Sequence, residues 1–169
     1  MIISAIAVGL FLLPSVTDTF AQFPQLNIKD ENVLSLNVTD AVYNSNTSGF
    51  LGSKNISSTP YRITEQYYLD QGLLNNAVNV TNSQTYLDTY LSDDLLLGRG
   101  NGTIETADGQ NNISWISSDI GRLIDDRWVF YGVILFNNTH NESLSLLNNS
   151  IGLSKNIAGS EPDYIWLLE

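Results

Sequence analysis

From Tyr61 onward apolar and polar positions alternate in short runs. In Tyr61-Arg62-Ile63-Thr64-Glu65-Gln66-Tyr67-Tyr68-Leu69, Tyr61, Ile63, Tyr67 and Leu69 share one side of a ribbon, and Asp70-Gln71-Gly72 stops the run. Successive strand side chains point to opposite faces, so a period of two predicts a strand. Asn75 to Ser83 is polar and reads as a loop. Thr85 to Leu97 supports two readings: Leu87, Tyr90, Leu91, Asp94 and Leu95 fall on a helical stripe, whereas the threonines and tyrosines suit a strand, which is favoured. Arg99 to Ala107 and Asn112 to Ser118 flank Asp108-Gly109, a turn signal that needs positive φ, and Ile104, Ile113 and Trp115 take the inward positions. Trp128 to Phe136 is apolar on both faces and predicts a central strand covered on both sides. Leu144 to Leu153, interrupted by Asn148-Asn149, is another element, and Tyr164 to Leu168 a terminal strand.

Short strands joined by tight or modest connections predict an all-β, antiparallel domain, with hairpin order favouring an up-and-down meander. Closing that meander into a roughly eight-stranded barrel removes exposed edges, which invite aggregation; an open β-sandwich is the alternative. The barrel is expected over residues 60–169. Between Gln22 and Thr59 the chain is rich in Asn, Ser, Thr and Asp and reads as a flexible N-terminal arm, with residues 33–38 as a candidate first strand. Ile2 to Leu13 is an apolar run too short to cross a bilayer. With Pro14 and the ending Thr19-Phe20-Ala21 it reads as a signal peptide over residues 1–21. No Lys or Arg precedes the run, which leaves a retained N-terminal anchor as the alternative.

Nine Asn-x-Ser/Thr triplets give the same address, beginning at Asn37, Asn46, Asn55, Asn79, Asn101, Asn112, Asn137, Asn141 and Asn148. With 19 Asn and 30 Ser plus Thr in 169 residues, chance placement gives about three. The excess predicts N-glycosylation and a secreted or cell-surface protein. Asn112 and Asn148 abut apolar residues and are the acceptors expected to be least accessible. The chain lacks cysteine, which excludes disulfides, thiol catalysis and thiolate metal sites. The formal charge is −11 with seven Lys plus Arg, so no basic stripe for nucleic acid can be assembled. After signal cleavage no stretch is apolar enough for a stable membrane span. Acidic, cysteine-free and sequon-rich, the chain resembles archaeal surface glycoproteins.

The series Gly98-Arg99-Gly100-Asn101-Gly102, Thr106-Ala107-Asp108-Gly109, Trp115, Asp119-Ile120-Gly121, Phe130 to Phe136 and Leu146-Leu147-Asn148, ending at Gly152 and Trp166, is similar to a group of small β-barrel proteins. That group resembles the calycin and allene-oxide-cyclase-like barrels. The resemblance covers about residues 61–169 and rests on glycines and aromatics at turns. It implies an eight-stranded calycin-like barrel with an apolar interior, and it implies no reaction or catalytic residue.

The chemistry-bearing residues exclude more than they assign. Gly98, Gly100 and Gly102 lack the third spaced glycine of a dinucleotide fingerprint and the Gly-Lys-Ser/Thr of a phosphate loop. Spaced by two on one strand face, they serve coiling or close backbone approach, and Gly132 reads as a bend or as room for a ligand. His140, the single histidine, sits between sequons in a polar connection and has no orienting partner for base catalysis. Asp93-Asp94 and Asp125-Asp126 read as solvated turn acids, with calcium ligation or a glycosidase pair as the sharper alternatives. Asp119 reads as the cap of a turn before Gly121. No cofactor, metal site or catalytic residue is implied.

Trp115, Trp128, Phe130, Tyr131 and Trp166 are the candidates for lining a pocket, against the plainer role of filling the core. The expected function is a non-enzymatic binding or interaction module at the cell surface, taking a small apolar ligand or a surface glycan. A barrel enzyme of isomerase or cyclase type and a structural part of a surface layer are the alternatives.

Overall fold

A computed structural model describes residues 40–137, 142–159 and 162–168. Eight antiparallel strands run in sequence order and close into a barrel: β1 Tyr43–Ser57, β2 Arg62–Leu74, β3 Val78–Tyr90, β4 Leu95–Thr106, β5 Asn112–Ile124, β6 Arg127–Phe136, β7 Ile151–Ile157 and β8 Tyr164–Leu167. A short 3₁₀ helix, Glu142–Leu147, joins β6 to β7. Each strand pairs with its neighbours in the chain, the up-and-down order expected. Among the described residues no helix is long and apolar enough to cross a membrane.

Three connections owe their tightness to left-handed backbone. Asp108-Gly109 turns the chain between β4 and β5, with Gly109 at φ 69°. Thr106 donates its hydroxyl to Asp108 Oδ1 (2.6 Å) and Gln110 N donates to the same oxygen (3.1 Å). These bonds hold the exposed Asp108 carboxyl below its ordinary range, the Thr106 hydroxyl contributing most. Asn75 and Asn76 (φ 51° and 55°) turn β2 into β3, and Asp125 and Asp126 (φ 48° and 60°) turn β5 into β6. Asn and Asp tolerate this region better than other side-chain-bearing residues, so both pairs act as turn formers. Asp93, Asp94, Asp125 and Asp126 are all exposed.

Several boundaries differ from the sequence reading. The segment 22–59 expected as an arm contains β1, so the barrel begins at Tyr43 rather than residue 60, and residues 33–38 lie outside the described residues. β1 hid because it carries Gly49, Gly52 and three register shifts instead of an apolar alternation. The polar stretch from Val78 to Ser83 is the first half of β3, not a loop. β6 does not have both faces covered: Tyr131, Val133 and Leu135 on its outer face are exposed. They join Ile116 and Ile120 of β5 and Ile151 of β7 in an apolar outer wall.

The core occupies one end of the barrel. Tyr43, Leu74, Val80, Ile104, Ile113, Trp115, Ile134, Phe136 and Ile165 pack there, and Leu144 and Leu147 of the 3₁₀ helix are fully buried against them as a plug. Ile104, Ile113 and Trp115 thus take the inward positions expected of them. Gly102 makes room for the Trp115 ring. A Cβ there would collide with the Ser83 carbonyl oxygen and stand 2.5 Å from Trp115 Cζ2. Neither backbone nor a buried indole yields cheaply, so Gly102→Ala is expected to lower stability by about 1–3 kcal/mol in urea unfolding. Gly98→Ala, whose Cβ would meet nothing nearer than 3.1 Å, should cost less than about 1 kcal/mol.

Candidate functional site

Above the plug the interior is unfilled. A cavity of about 750 Å³ runs from Tyr43, Asn82 and Trp115 at its floor to Tyr90, Trp128 and Phe130 at the other end of the strands. It is partly open to solvent; among the described residues no helix or strand crosses that end, although Ala158 and Gly159 of the β7–β8 connection line it. The wall is also short along one seam: β1 is 15 residues long, yet it pairs with β8 through only Tyr43–Ile165 and Asn44–Tyr164. Asp163 anchors that seam, its N–H donating to Ser45 Oγ (2.6 Å).

The middle of the cavity wall is polar, the reverse of the usual barrel interior. On β2 and β3 the inward positions are Gln66, Tyr68, Asp70, Asn82, Gln84, Tyr86 and Asp88, while Leu69 and Leu87 point outward and are exposed. Amide side chains join the two strands: Gln66 Nε2 donates to Asp88 Oδ2, and Gln84 Nε2 to Asp70 Oδ2. The tyrosines cap this ladder, Tyr68 donating to Gln66 Oε1 (2.6 Å) and Tyr86 to Gln84 Oε1 (3.1 Å). Burial pushes the Tyr68 hydroxyl up to about 12 and the Tyr86 hydroxyl well above its ordinary value, with neighbouring aspartates adding to both.

One register row carries two of the four aspartates that line the cavity, the others being Asp70 and Asp163. Asp88 lies opposite Gly98, Gly98 opposite Asp119, Asp119 opposite Gly132, and Gly132 opposite Ser154. The glycines are gaps that the carboxylates fill. A Cβ at Gly98 would stand 3.1 Å from Asp88 Oδ1 and 3.6 Å from Asp119 Oδ2, and one at Gly132 would collide with Asp119 Oδ1. Ser117 donates to Asp119 Oδ2 (2.9 Å), and Ser154 reaches Oδ1 at 3.5 Å. Asp119 is therefore a buried cavity residue in the middle of β5, not a turn cap. Period-two counting from the inward Trp115 places Ser117 and Asp119 on its face, and that was the available signal.

Both carboxyls are held well above the ordinary carboxylate range. Burial raises Asp88 to about 6, with the neighbouring Asp119 carboxylate adding and the Gln66 amide opposing. Burial raises Asp119 to about 6 against the Ser117 and Ser154 hydroxyls. Their partners are neutral donors; among the described residues no Lys or Arg pairs with either. Arg62 instead lies over the Tyr90 ring, 3.5 Å from its centroid, and Lys155 Nζ lies 5.8 Å from the Tyr131 centroid.

Of the five expected pocket residues, Trp115, Trp128 and Phe130 line the cavity. Trp128 stacks on Phe130 (6.2 Å between centroids) and meets Tyr90 edge-on (5.9 Å), forming a cluster of rings at the open end. Tyr131 has the opposite parity to Phe130 and faces outward, 52% exposed. Trp166 is buried beside Tyr164 but is not part of the cavity wall, because on β8 it is Ile165 that faces inward. Sequence reasoning missed Gln66, Gln84, Asp70 and Asp88, whose polarity argued for loop or surface.

The sequon asparagines Asn46, Asn55, Asn79, Asn101, Asn112 and Asn137 are exposed, and Asn148 is half-buried in the turn after the 3₁₀ helix. Asn112 is thus more accessible than expected. Asn37, Asn141 and His140 lie outside the described residues. No family model, no curated protein and no solved structure matches this chain.

Proposed function

We propose that the chain is an exported, glycosylated binding module whose barrel takes a small molecule into its interior. The observation that carries this reading is the cavity: about 750 Å³, plugged at one end, open at the other and lined by rings with a few convergent polar groups. Folded domains close-pack their interiors, and an unfilled volume within the 300–1,000 Å³ range of ligand sites is the usual mark of one. A purely structural part of a surface layer gains nothing from such a volume, which leaves that reading less support. The eight-stranded up-and-down closure is compatible with a calycin-like barrel. Export and display at the cell surface rest on the apolar run from Ile2 to Leu13 and on the sequons.

The test is occupancy. N-phenyl-1-naphthylamine, a neutral apolar dye, is expected to bind at one molecule per chain with quenching of tryptophan fluorescence. Gly98→Phe, which projects a ring into the middle of the cavity, should weaken that binding more than tenfold. Dye binding that is absent, or indifferent to Gly98→Phe, overturns the reading. Native mass spectrometry of protein from its own host would report signal cleavage, glycans and any retained small molecule together.

A second reading, a barrel enzyme of isomerase or cyclase type, draws on one observation. Asp88 and Asp119 are buried carboxyls with values of about 6, close to what proton transfer at neutral pH requires. Chemical conversion of whatever molecule co-purifies, lost in Asp119→Asn, would favour it over simple binding.

A further inference from the structure

We propose that the molecule this cavity takes is an organic cation, its ammonium-type head seated between Asp88 and Asp119 and its apolar body among Tyr90, Trp128 and Phe130. The inference rests on the binding reading above and names the class of ligand for that site.

The argument begins with charge. Asp88 and Asp119 are 5% and 6% exposed and flank the same point on β4, the missing Cβ of Gly98. Two ionised carboxylates out of water and this close to each other are costly unless a counter-charge reaches them. Among the described residues the chain supplies none. Gln66, Ser117 and Ser154 donate neutral hydrogen bonds, and the nearby Arg62 and Lys155 are placed over the rings of Tyr90 and Tyr131. The counter-charge must come from a proton or from what enters the cavity.

A second observation also points to a ligand. The Tyr43 hydroxyl, at the cavity floor, belongs to a side chain only 1% exposed and has no hydrogen-bond partner in good geometry. The Asn82 amide beside it eases its ionisation through the amide N–H, while Asn82 Oδ1 already accepts from Trp115 Nε1 (2.9 Å), so the Tyr43 hydroxyl proton is left without an acceptor. A buried hydroxyl proton without an acceptor costs stability, so its persistence on a cavity wall marks a place for an acceptor group of a ligand or its water.

The rings set the rest of the chemistry. The faces of aromatic side chains carry negative potential and attract cations, while their area favours an apolar body. Tyr68 and Tyr86 stand beside the acids with centroids 6.1 Å apart, and Tyr90, Trp128 and Phe130 line the entrance. A surplus of 11 negative charges over the whole chain adds a field that draws cations and repels anions. An anionic or strictly neutral apolar ligand would leave the carboxylates uncompensated.

The experiment compares three probes of one shape by isothermal titration calorimetry of the purified protein: 4-phenylbutylamine, 4-phenylbutanol and 4-phenylbutyrate. At pH 8 both carboxyls are ionised and the amine keeps its proton. The amine is expected to bind at least tenfold more tightly than the alcohol, and the butyrate more weakly than either. Asp88→Asn/Asp119→Asn should abolish the amine's advantage over the alcohol. The double variant keeps side-chain volume and removes buried charge, so it is expected to fold, and its melting curve checks that. Each single variant should lose part of the preference.

If the alcohol binds and the amine has no advantage, the cation proposal fails and the binding reading stands. A preference that survives in the double variant also overturns the proposal, because the charge would then be recognised elsewhere. If none of the three binds, both readings fail.

Discussion

Trp115→Ala is expected to remove most of the stability of this domain. The indole is 1% exposed, packs against Tyr86 with centroids 6.1 Å apart, and fills the space that Gly102 leaves by lacking a side chain. Truncating a buried tryptophan costs about 3–5 kcal/mol in lost transfer and cavity terms. Here the change also strands Asn82 Oδ1, which accepts from Nε1 at 2.9 Å, adding about 1–3 kcal/mol for an orphaned buried acceptor. Domains of this size hold only about 5–15 kcal/mol in total, so the variant should be partly unfolded at 37 °C. Trp115→Phe separates the two effects, because it retains much of the ring but still orphans Asn82, and it should cost about 2–3 kcal/mol. Urea unfolding followed by circular dichroism measures both. A Trp115→Ala loss below about 1 kcal/mol would mean that the plugged end is not the domain's main core.

Much of this barrel could be read before any coordinates, and the part that could not has one physical cause. β6, β8, most of β4 and the Asp108-Gly109 turn are legible because they use the expected signals: apolar strand runs and a glycine at positive φ. Ile104, Ile113 and Trp115 are legible as inward because they line an ordinary apolar core at the plugged end. The reading fails wherever the barrel is lined with polar groups. On β3 the inward residues include Asn82, Gln84, Tyr86 and Asp88, so its first half reads as a loop, and over its second half a helical stripe competes with the strand that is favoured there and found. On β2, Ile63, Tyr67 and Leu69 form the apolar side seen in the sequence, yet Leu69 is 41% exposed and it is Gln66, Tyr68 and Asp70 that face the cavity. The assumption that apolar positions face inward inverts the sheet there. The site depends on register as well, since only the cross-strand row reveals that Gly98 and Gly132 are gaps occupied by Asp88 and Asp119. Sequence spacing can place three glycines on one face, but it cannot say whose side chains they make room for.

Acid should stabilise this protein across the range where many proteins begin to lose stability. Asp88 and Asp119 hold values of about 6 when folded, against the 3.8 of an unfolded carboxyl. The folded chain therefore binds protons more tightly than the unfolded chain between those limits, and stability rises as pH falls from 7 through 6 towards 4. The stabilisation is full below the unfolded value and is lost as pH rises through the folded one. A carboxyl raised that far on folding is worth on the order of 3 kcal/mol across the whole window. The pair contributes less than twice that, because part of the rise at Asp88 comes from the charge on Asp119. The exposed Asp94 and Asp108 act in the opposite sense. Their carboxyls are held low, chiefly by the Ser92 and Thr106 hydroxyls, so their contribution is lost only as pH falls below the ordinary carboxylate value. The two effects occupy separate windows. The melting temperature is expected to be higher at pH 4.5 than at pH 7.5 by about 5–10 °C. In Asp88→Asn/Asp119→Asn that difference should flatten, and the variant should melt above the parent at pH 7.5, since the uncompensated charges are gone. A melting temperature that falls steadily from pH 7.5 to 4.5, or an unchanged slope in the double variant, would mean that the carboxyls are neutralised in the folded protein by something other than protons.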